Sequence, residues 1–254
     1  MRAAAFSAAA AAMTFCVMVF GAGDAIAAEI KLLASANASL RSALTELAPQ
    51  FERATGHKVT MDFASVLPMK QRVDAGETFD IVIAPGLVDD LLRQGKVAAD
   101  TRVTVARTGL GVVAPKGTAR PDVSSADVFK RILLNAKSIG YQPDSEPGIL
   151  FLQVLDQAGL AQQLGPRLKA YPSLDALAAA LDKRDLDFVV SSITNLAAVF
   201  DTVDALPPEM QRRWDFQAAV STTTKEPDAA KALVQFLSSP TAASVFKAKG
   251  FELE

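Results

Sequence analysis

Two hydrophobic periods alternate along this chain. Short apolar runs at residues 30–33, 59–63, 79–84, 138–141, 168–171 and 186–190 have the length and character of buried strands. Between them, apolar residues recur with a period near 3.6, as on the buried face of a helix. The clearest such stripe is Leu40, Leu44, Leu47 and Phe51, ended by Gly56. A second passes through Met69 and Val73 into an acidic turn at Asp74-Ala75-Gly76-Glu77, and a third opens at Pro85 and stops at Gly95. Farther on, Ser124-Ser125-Ala126-Asp127 caps a helix that buries Phe129, Ile132 and Leu133. A helix over 149–158 ends at Gly159, Ser173 caps an alanine-rich helix over 174–182, and Pro227 and Pro240 each open a C-terminal helix.

Strands alternating with helices predict an α/β fold of three-layer α/β/α sandwiches. Two stretches are of another kind. Residues 103–115 form one long extended run with Gly109 and Gly111 inside it, which suits a crossover between lobes, and residues 216–222 suit the return. The expected architecture is therefore two-lobed and joined by two crossover strands, with residues 28–107 plus 216–254 in lobe one and 108–215 in lobe two.

In such sheets ligands bind beyond the carboxyl ends of the strands. The loops there are residues 35–39, 64–66, 141–148 and 191–195, mostly small or polar and each with at least one serine. Hydroxyls and the free N–H groups of helix starts are neutral donors that together hold an anion. Candidate donors are Ser39 and Ser65 from lobe one, Tyr141 and Ser145 from lobe two, and Ser191 or Ser192 near the hinge. The competing explanation for each serine is a helix cap, which stabilises by about 1 kcal/mol. Arg107, at the crossover, and Arg41 carry the planar fork that grips a carboxylate at two points, and Asp144 and Glu146 place carboxylates on the loop 141–148.

Composition narrows the function further. Half of the 254 residues are hydrophobic and the net charge is −2, which excludes the basic field that nucleic-acid binding requires. Met1-Arg2, an apolar stretch over 3–20 and small residues ending in Ala25-Ile26-Ala27 read as a cleavable signal peptide over residues 1–27. Export to the periplasm without stable membrane insertion is the expectation. Cys16, the single cysteine, lies in that leader, so the exported chain has no disulfide or thiolate chemistry. His57, the single histidine, follows Gly56 in a turn and reads as a solvated loop residue, so neither a catalytic triad nor a multi-histidine metal site is expected. No metal or cofactor is expected.

The segment from Asp62-Phe63-Ala64-Ser65 through Lys70-Gln71-Arg72 and Asp74-Ala75-Gly76-Glu77 to Asp80-Ile81 resembles the second helix and third strand of molybdate-type periplasmic binding proteins. The resemblance continues through residues 46–59, 104–116 and 227–251, and so spans nearly the whole exported chain. It implies the type II periplasmic binding fold, no catalytic residues, and a monomer that carries a small anion to an inner-membrane ABC permease. It also implies that Asn37 and Ser39 compete for one donor position in a slightly longer first loop. Against the family pattern, Val66 stands where a second serine is usual, Ser145-Glu146-Pro147-Gly148 replaces Val-Pro-Ala-Gly, and Val190 stands on the strand that usually supplies a tyrosine. The expected ligand is thus a molybdate-like oxyanion or a small organic carboxylate. The same scaffold is similar to aconitate-isomerase-type proteins, and on that alternative Glu146, Asp144 or Tyr141 would act as base toward a small tricarboxylate.

Overall fold

On the first strand, β1 (Glu29–Ser35), Ile30, Leu32 and Ala34 enter one hydrophobic cluster and Leu33 enters another. A strand buried on both faces belongs to a sheet with helices on both sides. The computed structural model describes residues 27–253; the leader expected over 1–27 falls outside them apart from Ala27.

The chain alternates as its periodicity predicts. After β1 come α1 (Ala38–Thr55), β2 (Lys58–Ala64), α2 (Val66–Asp74), β3 (Ile81–Ala84) and α3 (Leu87–Arg93). The long strand β4 (Val103–Val113) then leads to α4 (Ala126–Asn135), β5 (Ile139–Tyr141), α5 (Glu146–Gln157), α6 (Ala161–Leu164), β6 (Leu168–Ala170) and α7 (Leu174–Asp182). The remainder is β7 (Phe188–Ser192), α8 (Ile193–Ala197), β8 (Asp204–Ala205), β9 (Arg213–Val220), α9 (Pro227–Leu237) and α10 (Pro240–Ala248). Leu40, Leu44, Leu47 and Phe51 are all buried along α1, which ends at Gly56 with φ 81°, a conformation that glycine adopts without strain.

Sheet order among the described residues is β2-β1-β3-β9-β4-β7-β5-β6, with β8 also on β4. Pairing is parallel at each end of this order and antiparallel where β3, β9, β4 and β7 meet. The central antiparallel pair β4–β9 joins two parallel α/β halves, which is the two-lobed arrangement with two crossover strands. β4 changes partner midway: residues up to Gly109 pair with β9, and Leu110 to Val113 pair with β7. At the switch, the Gln211 side chain accepts from Leu110 N–H at 2.7 Å and donates to its carbonyl at 2.9 Å. Gly109 leaves the space that this amide fills, because a Cβ there would stand 2.8 Å from Gln211 Oε1.

The charged residues of the 62–80 segment hold β1, β2, α2 and β3 together. Arg72 bridges Asp62 and Glu77, and Lys31 Nζ donates to Glu77 at 2.9 Å. Arg72 first, then Lys31, holds the Glu77 carboxyl at about 2, far below its ordinary value. Asp80 accepts from Lys31 N–H at 2.7 Å and from the Thr224 hydroxyl at 2.5 Å.

Several boundaries differ from the sequence expectation, each for a local reason. β1 runs to Ser35 because it stays paired with β2 to that point, so α1 begins at Ala38 and Ser39 lies inside the helix. Pro85 and Gly86 form the turn before α3, with Gly86 at φ 66°, and the helix itself starts at Leu87. Ser145 caps α5 three residues earlier than expected, which a proline in the first turn permits, so Glu146 and Pro147 are helical. Ser191 and Ser192 belong to β7, paired with Gly111 and Leu110, where a loop was expected.

Replacing Gly109 with alanine is expected to cost about 1–3 kcal/mol in urea unfolding through the displaced Gln211 hydrogen bonds. In a Gln211→Ala background the same change should cost much less, and equal costs in both backgrounds would refute the crowding.

Candidate functional site

Five strand-to-helix junctions surround one small cavity of about 50 Å³. The β1–α1 junction contributes Ser35, Ala36 and Asn37, the β2–α2 junction Ser65 and Val66, and the β3–α3 junction Pro85. From the other half come Gln142, Ser145, Glu146 and Pro147 at the start of α5 and Asn195 of α8, while Trp214 and Phe216 of β9 form the remaining wall. A neighbouring groove of about 470 Å³ shares Glu146 and Trp214 with it and adds Arg107, Arg213, Asp89 and Asp215. Larger hollows elsewhere, such as one of about 610 Å³ lined by residues 114–118 and 199–202, have no such convergence of helix starts.

The start of α1 is latched onto the start of α8. Asn37 donates through Nδ2 to the Thr194 hydroxyl at 3.1 Å and the Ser192 hydroxyl at 3.3 Å, and accepts from Leu40 N–H at 2.9 Å. The Ser39 hydroxyl donates to the Thr194 carbonyl at 2.7 Å, and Ala38 N–H donates to Asn195 Oδ1 at 2.9 Å. Ser192 caps α8 by accepting from Asn195 N–H. Asn37, Ser39, Ser192 and Thr194 are all buried. Their polar side chains are therefore occupied in holding the junctions together.

Ser145 is occupied too, since its hydroxyl donates to the Gln142 carbonyl at 2.7 Å and accepts from Gly148 N–H at 3.2 Å. The backbone here is tight: a Cβ on residue 148 would fall 1.8 Å from the Gln142 carbonyl oxygen. Ser65 differs from the other caps. It begins α2 without a side-chain cap, and its hydroxyl has no hydrogen-bond partner among the described residues. The first-turn amides of Val66, Leu67 and Glu146 have no intrahelical acceptor by geometry. Asn195 Nδ2 and the indole N–H of Trp214 likewise have no partner among the described residues, and Trp214 is only 9% exposed.

The residues expected to bind ligand thus occupy different places. Asn37, Ser65 and Ser145 line the cavity. Ser39, Ser191 and Ser192 are buried behind it. Tyr141 packs edge-on against Phe151, with ring centroids 6.4 Å apart, and is not part of the lining. Arg107 lies in the neighbouring groove with its guanidinium on Asp215, at 2.6 Å and 3.2 Å, and Arg41 stacks 4.0 Å above the Phe63 ring. Val190 is buried in the core. Ser35 and Asn195, which lie in loops expected at the cleft but not among the candidate donors, also line the cavity, as does Trp214, which lies outside those loops. Asn195 follows Ser191-Ser192 closely, and Trp214 is the single tryptophan, so only a knowledge of which strand ends share an edge singles them out.

Among the described residues, no arginine, lysine or histidine lines the inner cavity. Glu146 is its single carboxylate and forms neither a hydrogen bond nor an ion pair among the described residues. Burial pushes its carboxyl above the ordinary glutamate value. Among the described residues, no group of three or more histidine, cysteine, aspartate or glutamate side chains is placed to hold a metal ion. No helix among them is long and apolar enough to cross a membrane.

Two α/β halves, a pair of crossover strands and donors gathered at the edge between them define a two-lobed solute-binding scaffold. The chain belongs to the bacterial extracellular solute-binding protein family, whose sequence profile matches residues 32–252. It is 28% identical over 220 residues to an aconitate isomerase from a Pseudomonas species, covering 82% of each chain. It is 27% identical over 251 residues to the molybdate-binding protein of Escherichia coli (strain K12), covering 96% of each. In fold it resembles the periplasmic molybdate-binding protein of Azotobacter vinelandii, with a TM-score of 0.71, 21% identity, and coverage of 89% of this chain and 99% of that one.

Asn37→Ala should lower stability by about 2–4 kcal/mol in chemical unfolding, because a cap is lost and the buried Ser192 and Thr194 hydroxyls each lose a donor. A loss below about 0.5 kcal/mol would show that the latch does not hold the junctions.

Proposed function

We propose that this chain is the periplasmic, monomeric solute receptor of an ABC importer, which captures a small organic carboxylate between its lobes and presents it to an inner-membrane permease. Residues 28–107 with 216–254 form one lobe and 108–215 the other in this reading, and closure is coupled to occupancy as in hinge-type binding proteins. The observation that carries it is the cavity where unengaged donors meet: the Ser65 hydroxyl, Asn195 Nδ2, the Trp214 indole and the first-turn amides of α2 and α5. Neutral donors of this kind bind an anion without a paired cation, since bonds to a charge are stronger than bonds between neutral groups.

The wall chemistry favours carbon over a bare oxyanion. Val66, Pro85, Pro147, Trp214 and Phe216 offer apolar surface, and Val66 removes a hydroxyl that a molybdate-type site would use.

A second reading, turnover of the bound acid, is favoured by Glu146. An unpaired carboxylate whose proton affinity is raised by burial is a suitable base for an activated C–H, and helix starts opposite it suit the enolate-like charge. One relative is an aconitate isomerase. In this reaction the base would take a proton from the methylene carbon of an unsaturated tricarboxylate and return it at the far end of the shifted double bond, with no co-reactant.

A thermal-shift series with molybdate, sulfate, succinate, tricarballylate and cis-aconitate should give its largest shift with a carboxylate, a ligand at about 100 times its Kd adding about 2.7 kcal/mol. Ser65→Ala should weaken that ligand about tenfold, the scale of one lost hydrogen bond to a charge. A largest shift with molybdate, or an unchanged affinity in Ser65→Ala, contradicts this assignment. Proton NMR of cis-aconitate incubated with the protein separates the two readings, because a receptor returns it unchanged and an isomerase does not.

A further inference from the structure

Glu146 poses a problem for any anion in the cavity. It lines both the inner cavity and the outer groove, beside Trp214, at the first position of α5. An incoming carboxylate would therefore meet a second carboxylate at close range, in a space from which water is largely displaced. Two like charges in such a site do not both stay ionised.

The surrounding charges do not relieve this. On its own segment, Asp144 is exposed and negative. From β4, Arg107 is bonded to Asp215 of β9, and from β9, Arg213 is bonded to Glu252. From α3, Asp89 pairs with Arg102. Each of these cations already faces a carboxylate, and none forms an ion pair with Glu146 among the described residues. The helix start at α5 stabilises a negative charge only modestly, by about 0.3–1 kcal/mol at exposed sites, and that stabilisation acts on ligand and Glu146 alike.

We propose that Glu146 enters the complex as a neutral acid, so that capture of the anion takes up one proton from solution, and that the Glu146 O–H then donates a hydrogen bond to the ligand. This rests on the anion-receptor reading and names what that site selects: a carboxylate, which accepts such a short charge-assisted bond well. Burial already raises the carboxyl of the empty protein above its ordinary value, which shortens the step to the protonated state. The ligand's charge raises it further. The sign follows from linkage. The bound state holds more protons than the free state between the two values, so affinity rises as pH falls through that window, by at most tenfold per pH unit for one proton. Below the free-protein value Glu146 is already neutral, and the dependence levels off.

The test is calorimetric titration of the protein with succinate, tricarballylate and sulfate at pH 7, each in two buffers of different ionisation enthalpy, followed by affinity measurements from pH 5.5 to 8.5. For the carboxylate that binds, the expected result is uptake of about one proton beyond the ligand's own titration and an affinity falling up to tenfold per unit toward high pH. Glu146→Gln, which keeps a neutral donor of similar shape, should bind that carboxylate more tightly than the unaltered protein at pH 8.5 and take up no proton. Glu146→Ala should also lose the pH slope but bind more weakly than Glu146→Gln. Binding without proton uptake, or a pH slope that survives in Glu146→Gln, overturns the inference while leaving the receptor reading intact. Failure of all three anions to bind overturns the receptor reading and this inference with it.

Discussion

The arrangement depends on a buried polar latch between the first turns of two helices from opposite halves of the chain. Asn37 uses its carbonyl oxygen to cap α1 and its amide to reach Ser192 and Thr194 at the start of α8, while Ala38 and Ser39 bond to Asn195 and Thr194. Sequence separations of 155 to 157 residues are closed by these contacts. Buried polar groups carry a large penalty when unpaired, so each bond in the latch enforces the others. With α1 and α8 fixed in this way, the ends of β1, β2 and β3 face the start of α5 across a narrow space, and the cavity follows from that placement.

The latch also divides the polar residues into two groups by the bonds they already make. Asn37, Ser39, Ser145 and Ser192 are engaged within the chain. Ser65, Asn195 Nδ2 and the Trp214 indole are not, and they stand beside amides that helix geometry leaves without acceptors. A serine-rich edge is thus mostly scaffold, and in the function proposed here recognition falls to a few groups within it. Glu146 adds a constraint of the opposite sign. It places a carboxyl where we propose that an anion binds, and on that proposal protonation becomes part of recognition.

Much of the fold was legible in the sequence because it rests on periodicity and capping. The stripe Leu40, Leu44, Leu47 and Phe51 is buried as its spacing requires, Ser125 and Ser173 cap the helices they precede, and Pro227 and Pro240 open theirs. The long run with Gly109 and Gly111 is the strand that passes from one half to the other. What periodicity did not reveal were contacts between distant segments. Whether Ser39 faces ligand or the Thr194 carbonyl is decided by α8, a five-residue helix too short to leave a pattern. Arg41 and Arg107 have the chemistry of carboxylate receptors, but Phe63 and Asp215 lie nearer to hand. The charged residues of the 62–80 segment, which carry the family resemblance, bind one another and hold neighbouring strands and helices together.

The central claim is that unengaged donors at helix starts, gathered around one cavity, hold a small carboxylate. It is tested most directly by following the backbone amides with nitrogen-15-resolved NMR while tricarballylate is added. The account predicts that the largest saturable shifts fall on Val66, Leu67 and Glu146 and on the side-chain N–H groups of Asn195 and Trp214. Saturable shifts confined to the region of Arg107 and Arg213, with those five signals unmoved, would place the anion on paired arginines in the outer groove and contradict it.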